Sequence, residues 1–347
     1  MQKTRVFEIE EKMTYAKRFA VVLSLFFVSQ VAFAQLSETE LTKRKGAGIL
    51  GKFKGSFAKV TTYMGSGSFI DNGYSDNPYV SGELFLYPRF KLDKNMDLRG
   101  YWVAECEFTQ PDNPTGRACS PSDLRLSFHH NRLWIDPWLK GMIMGNFQAW
   151  LPVSYESQFN HTVANLRAAA TYLTRVFKDK VELAYGLAVQ KYIPTRRIRD
   201  FINDEVQTGA KGLPMYSARA SAGQDGSVGS GGFMNDNWLF INNFHVGYYF
   251  TPNLSLSIDL LVYNYIRYSV PEEFSDPTLS STGRADWTWG IIEANYQPLE
   301  YLVLTLGVAS LQPALSDDAK TMRFPFYDFA TPYNNYTKWY LGATFLY

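Results

Sequence analysis

Cys106 and Cys119 are the only two cysteines in the 347 residues, and they stand at the two ends of a 108–122 stretch rich in Pro, Asp and Ser. Two thiols cannot build a zinc site of four thiolates. In an oxidising compartment their natural chemistry is a disulfide stapling that loop, with two free thiols as the alternative. Closing a loop of this size stabilises by roughly 3 kcal/mol in the chain-entropy description. Ser127 and His129 lie two residues apart. That spacing puts both on one face of a strand, within reach of a nucleophile–base pair. A serine beside a strand histidine is more often only a polar hydrogen bond. His161 and His245 look isolated, and neither metal-ligand spacing nor a phosphate-cradling glycine motif is present. No cofactor is implied.

The remaining chemistry is charge laid out at alternate positions. Glu83, Arg89, Arg99, Glu105, Arg125, Arg167, Glu182, Asp259, Glu293 and Lys338 each fall on the polar side of a period-two pattern. A second group, Arg196, Arg197 and Arg199, opens the long 194–236 stretch, whose later part runs SARASAGQDGSVGSGG from Ser217 to Gly232. The arginines suit an inward-folding constriction, and the Gly/Ser run suits a surface loop. Net charge is +1, without the basic excess of a nucleic-acid binder.

Long strands must carry these residues. Segments 52–63, 80–92, 96–107, 123–135, 139–151, 163–177, 180–193, 237–250, 253–266, 286–297, 300–311 and 335–347 alternate with period two. They are about twice the usual globular strand length and match a tilted membrane strand. In 253–266, Leu254, Leu256, Ile258 and Leu260 oppose Ser255, Ser257 and Asp259; in 180–193, Leu183, Leu187 and Val189 oppose Glu182 and Gln190. Only 52–63 does not split cleanly. Tight turns at Asp93-Lys94-Asn95, Asp136-Pro137-Trp138, Lys178-Asp179, Thr251-Pro252-Asn253 and Pro298-Leu299-Glu300 alternate with longer connections. Aromatics reach 16% while charged residues are only 19%. Trp102, Trp134, Trp138, Trp150, Trp238, Tyr248, Phe250, Trp287, Trp289, Tyr296, Trp339 and Tyr347 lie near strand ends, as in an interfacial aromatic belt.

The amino terminus has basic Lys17 and Arg18, an apolar run over 19–28 and Ala32-Phe33-Ala34 before Gln35. This is the layout of a signal peptide over 1–34, with Met13 as an alternative start. A short segment, 35–51, would precede a single barrel domain over 52–347. The chain closes on KWYLGATFLY, with Trp339, Leu341, Phe345 and Tyr347 on one face.

These features resemble a Gram-negative outer-membrane β-barrel of the porin type, with no subfamily distinguished. The resemblance implies an all-β, antiparallel up-and-down transmembrane barrel of about twelve strands, with short periplasmic turns and long outer loops. It implies that the last strand, through Trp339, Leu341, Phe345 and Tyr347, is read by the barrel-assembly machinery. It further implies a lipid environment, no covalent chemistry, and a passive channel for small hydrophilic solutes. The charged residues above would then line the lumen. A closed structural or adhesive barrel working through its outer loops is the alternative, and a hydrolase ranks third. Outer-membrane phospholipases place His before Ser, followed by Asn-Gly; here the order is Ser127-Phe128-His129 with no such glycine.

Overall fold

The computed structural model describes residues 50–65, 68, 79–109, 119–154, 157–158, 160–196, 235–269, 283–316, 320–329 and 336–347. The expected signal peptide and nearly all of 35–51 lie outside the described residues. Lys52–Tyr347 is one compact unit.

Fourteen strand segments run β1 (Phe57–Gly65), β2 (Val80–Tyr87), β3 (Arg89–Lys91), β4 (Met96–Glu107), β5 (Cys119–Pro121), β6 (Leu124–Ile135) and β7 (Met142–Leu151). They continue as β8 (Thr162–Val176), β9 (Val181–Pro194), β10 (Asp236–Thr251), β11 (Leu254–Arg267), β12 (Arg284–Leu299), β13 (Leu302–Pro313) and β14 (Thr337–Leu346). β2 and β3 form one stave interrupted at Pro88, which has no N–H to give to the ladder. β5 and β6 likewise form one stave, both pairing with β4. The result is twelve antiparallel staves in a single ring. β1 closes it against β14, from Phe57 opposite Leu346 to Gly65 opposite Lys338.

The first strand begins later than its pattern suggests. Leu50–Phe53 form a 3-10 turn, and Gly55 takes φ 93, where a side chain would be strained. The Ser56 N–H and hydroxyl both donate to the Phe53 carbonyl, at 3.0 and 2.7 Å, which ends the turn and releases the chain into β1 at Phe57. The failure of 52–63 to alternate is this turn.

Connections on the rim that holds the start of β1 and the end of β14 are tight. Asp93 Oδ1 accepts from the N–H groups of Asn95 and Met96 at 2.6 and 2.8 Å. Asp136 Oδ1 accepts from Trp138 N–H at 2.9 Å, and Asp136 Oδ2 takes the Tyr172 hydroxyl at 2.8 Å. These two partners, the Trp138 N–H first, hold the Asp136 carboxyl below the usual carboxylate range.

The outer wall is apolar. Leu84, Leu126, Phe147, Leu187, Phe244, Ile258, Leu306 and Leu341 all face out, and Leu341 is 62% exposed. Trp134, Trp138, Phe177, Phe250 and Tyr347 crowd the short-turn rim, with Trp138 87% exposed. Trp150, Trp287 and Trp289 do not belong to that belt. Register places them on the inward face, where Trp287 is buried against Tyr336. An aromatic ring suits a lumen as well as a girdle, so residue type alone misplaced them.

A short strap, 320–329, covers one patch of the outer wall near the long-loop rim. Gly290 leaves room for the Pro325 backbone, and Ser310, Gln312 and Thr337 are fully buried beneath the strap. Asp328 N–H donates to the Thr337 hydroxyl at 2.8 Å, and Arg323 Nη1 meets Asp328 Oδ2 at 3.1 Å, both side chains nearly inaccessible.

Among the described residues no helix is long and apolar enough to cross a membrane. A closed ring with an apolar outer wall and a polar inner wall can span a membrane by its strands, because closure leaves no unpaired edge facing lipid. The chain is a closed antiparallel β-barrel of twelve staves with the wall chemistry of a membrane-spanning barrel.

Candidate functional site

Alternation puts the inward side chains of all twelve staves into one lumen, where they gather into four clusters. On the β3–β6 wall, Asp97 is completely buried between two arginines. Arg89 Nη2 lies 2.6 Å from Asp97 Oδ2, Arg99 Nε donates to Asp97 Oδ1, and Asn131 Nδ2 donates to Oδ2 at 2.7 Å. Arg99 reaches on to Tyr87 and Asn131. Sequence reasoning picked out Arg89 and Arg99 but passed over Asp97, although it shares their face at period two.

A second cluster sits on the β9–β12 wall. His245 Nδ1 is 2.8 Å from Asp259 Oδ1, and its Nε2 is 3.6 Å from Glu182. Glu293 accepts the Tyr340 hydroxyl at 2.6 Å and lies 3.8 Å from Lys59. Glu182, His245, Asp259 and Glu293 border a cavity of about 310 Å³ together with Tyr249, Ser255, Ser257 and Asn295. The expectation that His245 is isolated was wrong. Cross-strand register sets it directly opposite Asp259, a partner invisible along the chain. His161 also has interactions among the residues around it.

Arg125 and Arg167 form the third cluster. The Arg125 guanidinium lies 3.8 Å from the Tyr101 ring centre and 5.6 Å from that of Trp150. Arg167 lies 4.6 Å from the same Trp150 ring and donates twice to Gln190 Oε1. The fourth cluster is nearer the long-loop rim. Glu83 and Glu105 stand opposite each other on β2 and β4, and Tyr79 donates to Glu105. Lys338 sits 3.9 Å over the Tyr79 ring and 5.9 Å from that of Tyr63. Burial and then the Glu105 charge push the Tyr79 hydroxyl well above its ordinary range.

The ten charged residues proposed as lining therefore all occupy the inward face, though distributed over four separate groups. Of the loop arginines, Arg197 and Arg199 lie outside the described residues. Arg196 is at the foot of the loop, where Asn235 Nδ2 donates to its carbonyl at 2.8 Å and to that of Asn160 at 2.9 Å. Cys106 and Cys119 are register partners on β4 and β5, with Cα atoms 4.0 Å apart. In the terminal strand, Trp339, Leu341 and Phe345 share the outward face, and Tyr347 N–H donates to the Ser56 carbonyl at 2.9 Å.

Ser127 and His129 do meet, with Nε2 3.0 Å from Oγ. Both point into the lumen beside Arg99, and the Ser127 hydroxyl is also 3.3 Å from the Arg99 carbonyl. Among the described residues no side chain hydrogen-bonds the second ring nitrogen of His129, so none of them serves as the orienting third member of a catalytic triad. Among the described residues no group of three or more His, Cys, Asp or Glu is placed to hold a metal ion.

No protein-family model matches the sequence, and no curated protein matches it. Solved structures similar to it include an outer-membrane channel from Pseudomonas putida F1, at 12% identity over 86% of this chain and 98% of that one, TM-score 0.46. The NanC porin aligns at 7% identity over 84% and 100% of the two chains, TM-score 0.42. The outer-membrane phospholipase of Salmonella typhi aligns at 11% identity over 85% and 91%, TM-score 0.33. At these scores the likenesses carry no argument between a channel and an enzyme.

Proposed function

We propose that the barrel is a narrow passive channel for small hydrophilic solutes across the outer membrane. The observation that carries this reading is the wet lumen. His245, Asp259 and Glu293 each keep about a fifth of their side-chain surface accessible around the 310 Å³ cavity, and Lys59 beside Glu293 does the same, inside a wall whose outer face is apolar. Charges left accessible inside a barrel imply water there, since burying them dry would cost several kcal/mol each. Mixed signs favour weak ion selectivity. In this reading the outward face of β14 carries the signal read during barrel assembly.

One observation supports the rival, a closed barrel that works through its outer loops. Trp287 is buried on the inward face opposite its cross-strand partner Tyr263, so large rings fill part of the lumen. Proteoliposome swelling separates the two. A channel lets liposomes swell in a pentose and not in a trisaccharide; equal, protein-independent rates in both sugars would favour the closed barrel.

A further inference from the structure

The inner wall carries two guanidinium groups that no carboxylate among the described residues neutralises. Among the described residues, Arg125 and Arg167 have no ion-pair partner, whereas Arg89, Arg99 and Arg175 each meet an acid. Arg125 and Arg167 lie against the same Trp150 ring, and both are half-buried. Like charges held together in a partly dry wall are unfavourable without a counter-anion. The scaffold nevertheless fixes them: Tyr101 faces Arg125, Gln190 grips one edge of Arg167, and the Trp150 ring stands within 5.6 Å of both.

A second, independent feature lies against the same ring. Asn165 is the cross-strand partner of Trp150, is 7% exposed, and its Oδ1 has no hydrogen-bond donor. Gln148, the partner of Arg167, has a buried Oε1 that is equally unmatched. Orphaned buried acceptors are rare and call for a donor. Two cationic forks beside two acceptors, on either side of an indole, are complementary to an oxyanion whose carbon frame also carries hydroxyls.

We propose that Arg125, Trp150, Arg167 and Asn165 form a binding site within the lumen for a small hydroxylated carboxylate. The carboxylate is held by the guanidinium forks, its hydroxyls donate to Asn165 Oδ1 and Gln148 Oε1, and its apolar face rests on Trp150. No bond is made or broken. The site goes beyond the channel reading and does not depend on it, because a lumen closed at another level could still bind.

Equilibrium titration of the purified barrel in detergent, read by tryptophan fluorescence, tests the assignment with glucuronate, glucose and acetate as probes. Glucuronate is expected to give a saturable change that Trp150→Phe abolishes and that weakens with salt, while glucose gives none. Losing one charged hydrogen-bonding fork is expected to weaken glucuronate by about tenfold or more, in Arg125→Gln and Arg167→Gln alike. Arg167→Lys, which keeps the charge and loses the fork, should fall in between and guards against a folding defect. Asn165→Ala should weaken glucuronate and leave acetate unchanged. Equal responses to glucuronate and glucose, or unaltered glucuronate binding by the folded arginine variants, would overturn the site.

Discussion

The Tyr340 hydroxyl reaches Glu293 Oε1 at 2.6 Å only because residue 307, between them on β13, is glycine. Tyr340 and Gly307 are register partners, and a Cβ on Gly307 would collide with the Tyr340 ring. Gly307→Ala should therefore swing the ring off the wall, free Glu293 and destabilise the barrel by about 1–3 kcal/mol through overpacking. The temperature at which the folded gel band converts to the unfolded one is expected to fall. Tyr340→Phe, which keeps the ring, should preserve that temperature much better.

The strap is expected to depend on its buried pair. Arg323→Ala would leave Asp328 inaccessible and short of its cation, a change that typically costs several kcal/mol when the charge stays buried. The outcome expected is local release: proteolysis within 320–329 becomes fast while the barrel still shows the heat-modifiable shift. Unchanged protease resistance would show that the pair does not hold the strap.

Asp136 makes the short β6–β7 turn sensitive to acid. Its carboxyl is depressed by the Trp138 N–H and the Tyr172 hydroxyl, so its contribution is complete above the ordinary carboxylate value of about 3.9 and fades as pH falls through the lowered one. Asp136→Asn should be less stable than the parent at neutral pH, and the gap should close in acid. Heat-conversion temperatures measured across that range check the sign.

Cys106 and Cys119 face each other across a ladder that backbone hydrogen bonds already hold. Protein folded from an oxidising compartment should resist thiol alkylation until reduced. The Cys106→Ser, Cys119→Ser double variant should still form the barrel, since ring closure rests on β1 and β14 rather than on this staple. Alkylation of both thiols without reduction would contradict the pairing.

Much of the fold was legible because lipid and lumen impose opposite chemistry on successive residues. Leu254, Leu256 and Ile258 against Ser255, Ser257 and Asp259 fix the faces of β11 without any knowledge of its neighbours. What the sequence left hidden depends on partners across strands. His245 finds Asp259 only through a register that includes an irregularity between Tyr249 and Thr251. Asp97 looks like one more turn-proximal acid until β3 and β4 pair and set Arg89 beside it. The strap at 320–329 has no period at all, and its place on the outer wall is set by the absent side chain of Gly290. Arg125 and Arg167 were visible as inward charges, but their lack of carboxylate partners among the described residues was not.

Single-channel recording in a planar bilayer tests the central claim most directly. A channel with the wet lumen described here gives discrete, step-like currents of small conductance and weak ion preference on addition of the folded protein. A bilayer that stays silent, although the same preparation shows the heat-modifiable barrel and has inserted, would contradict it.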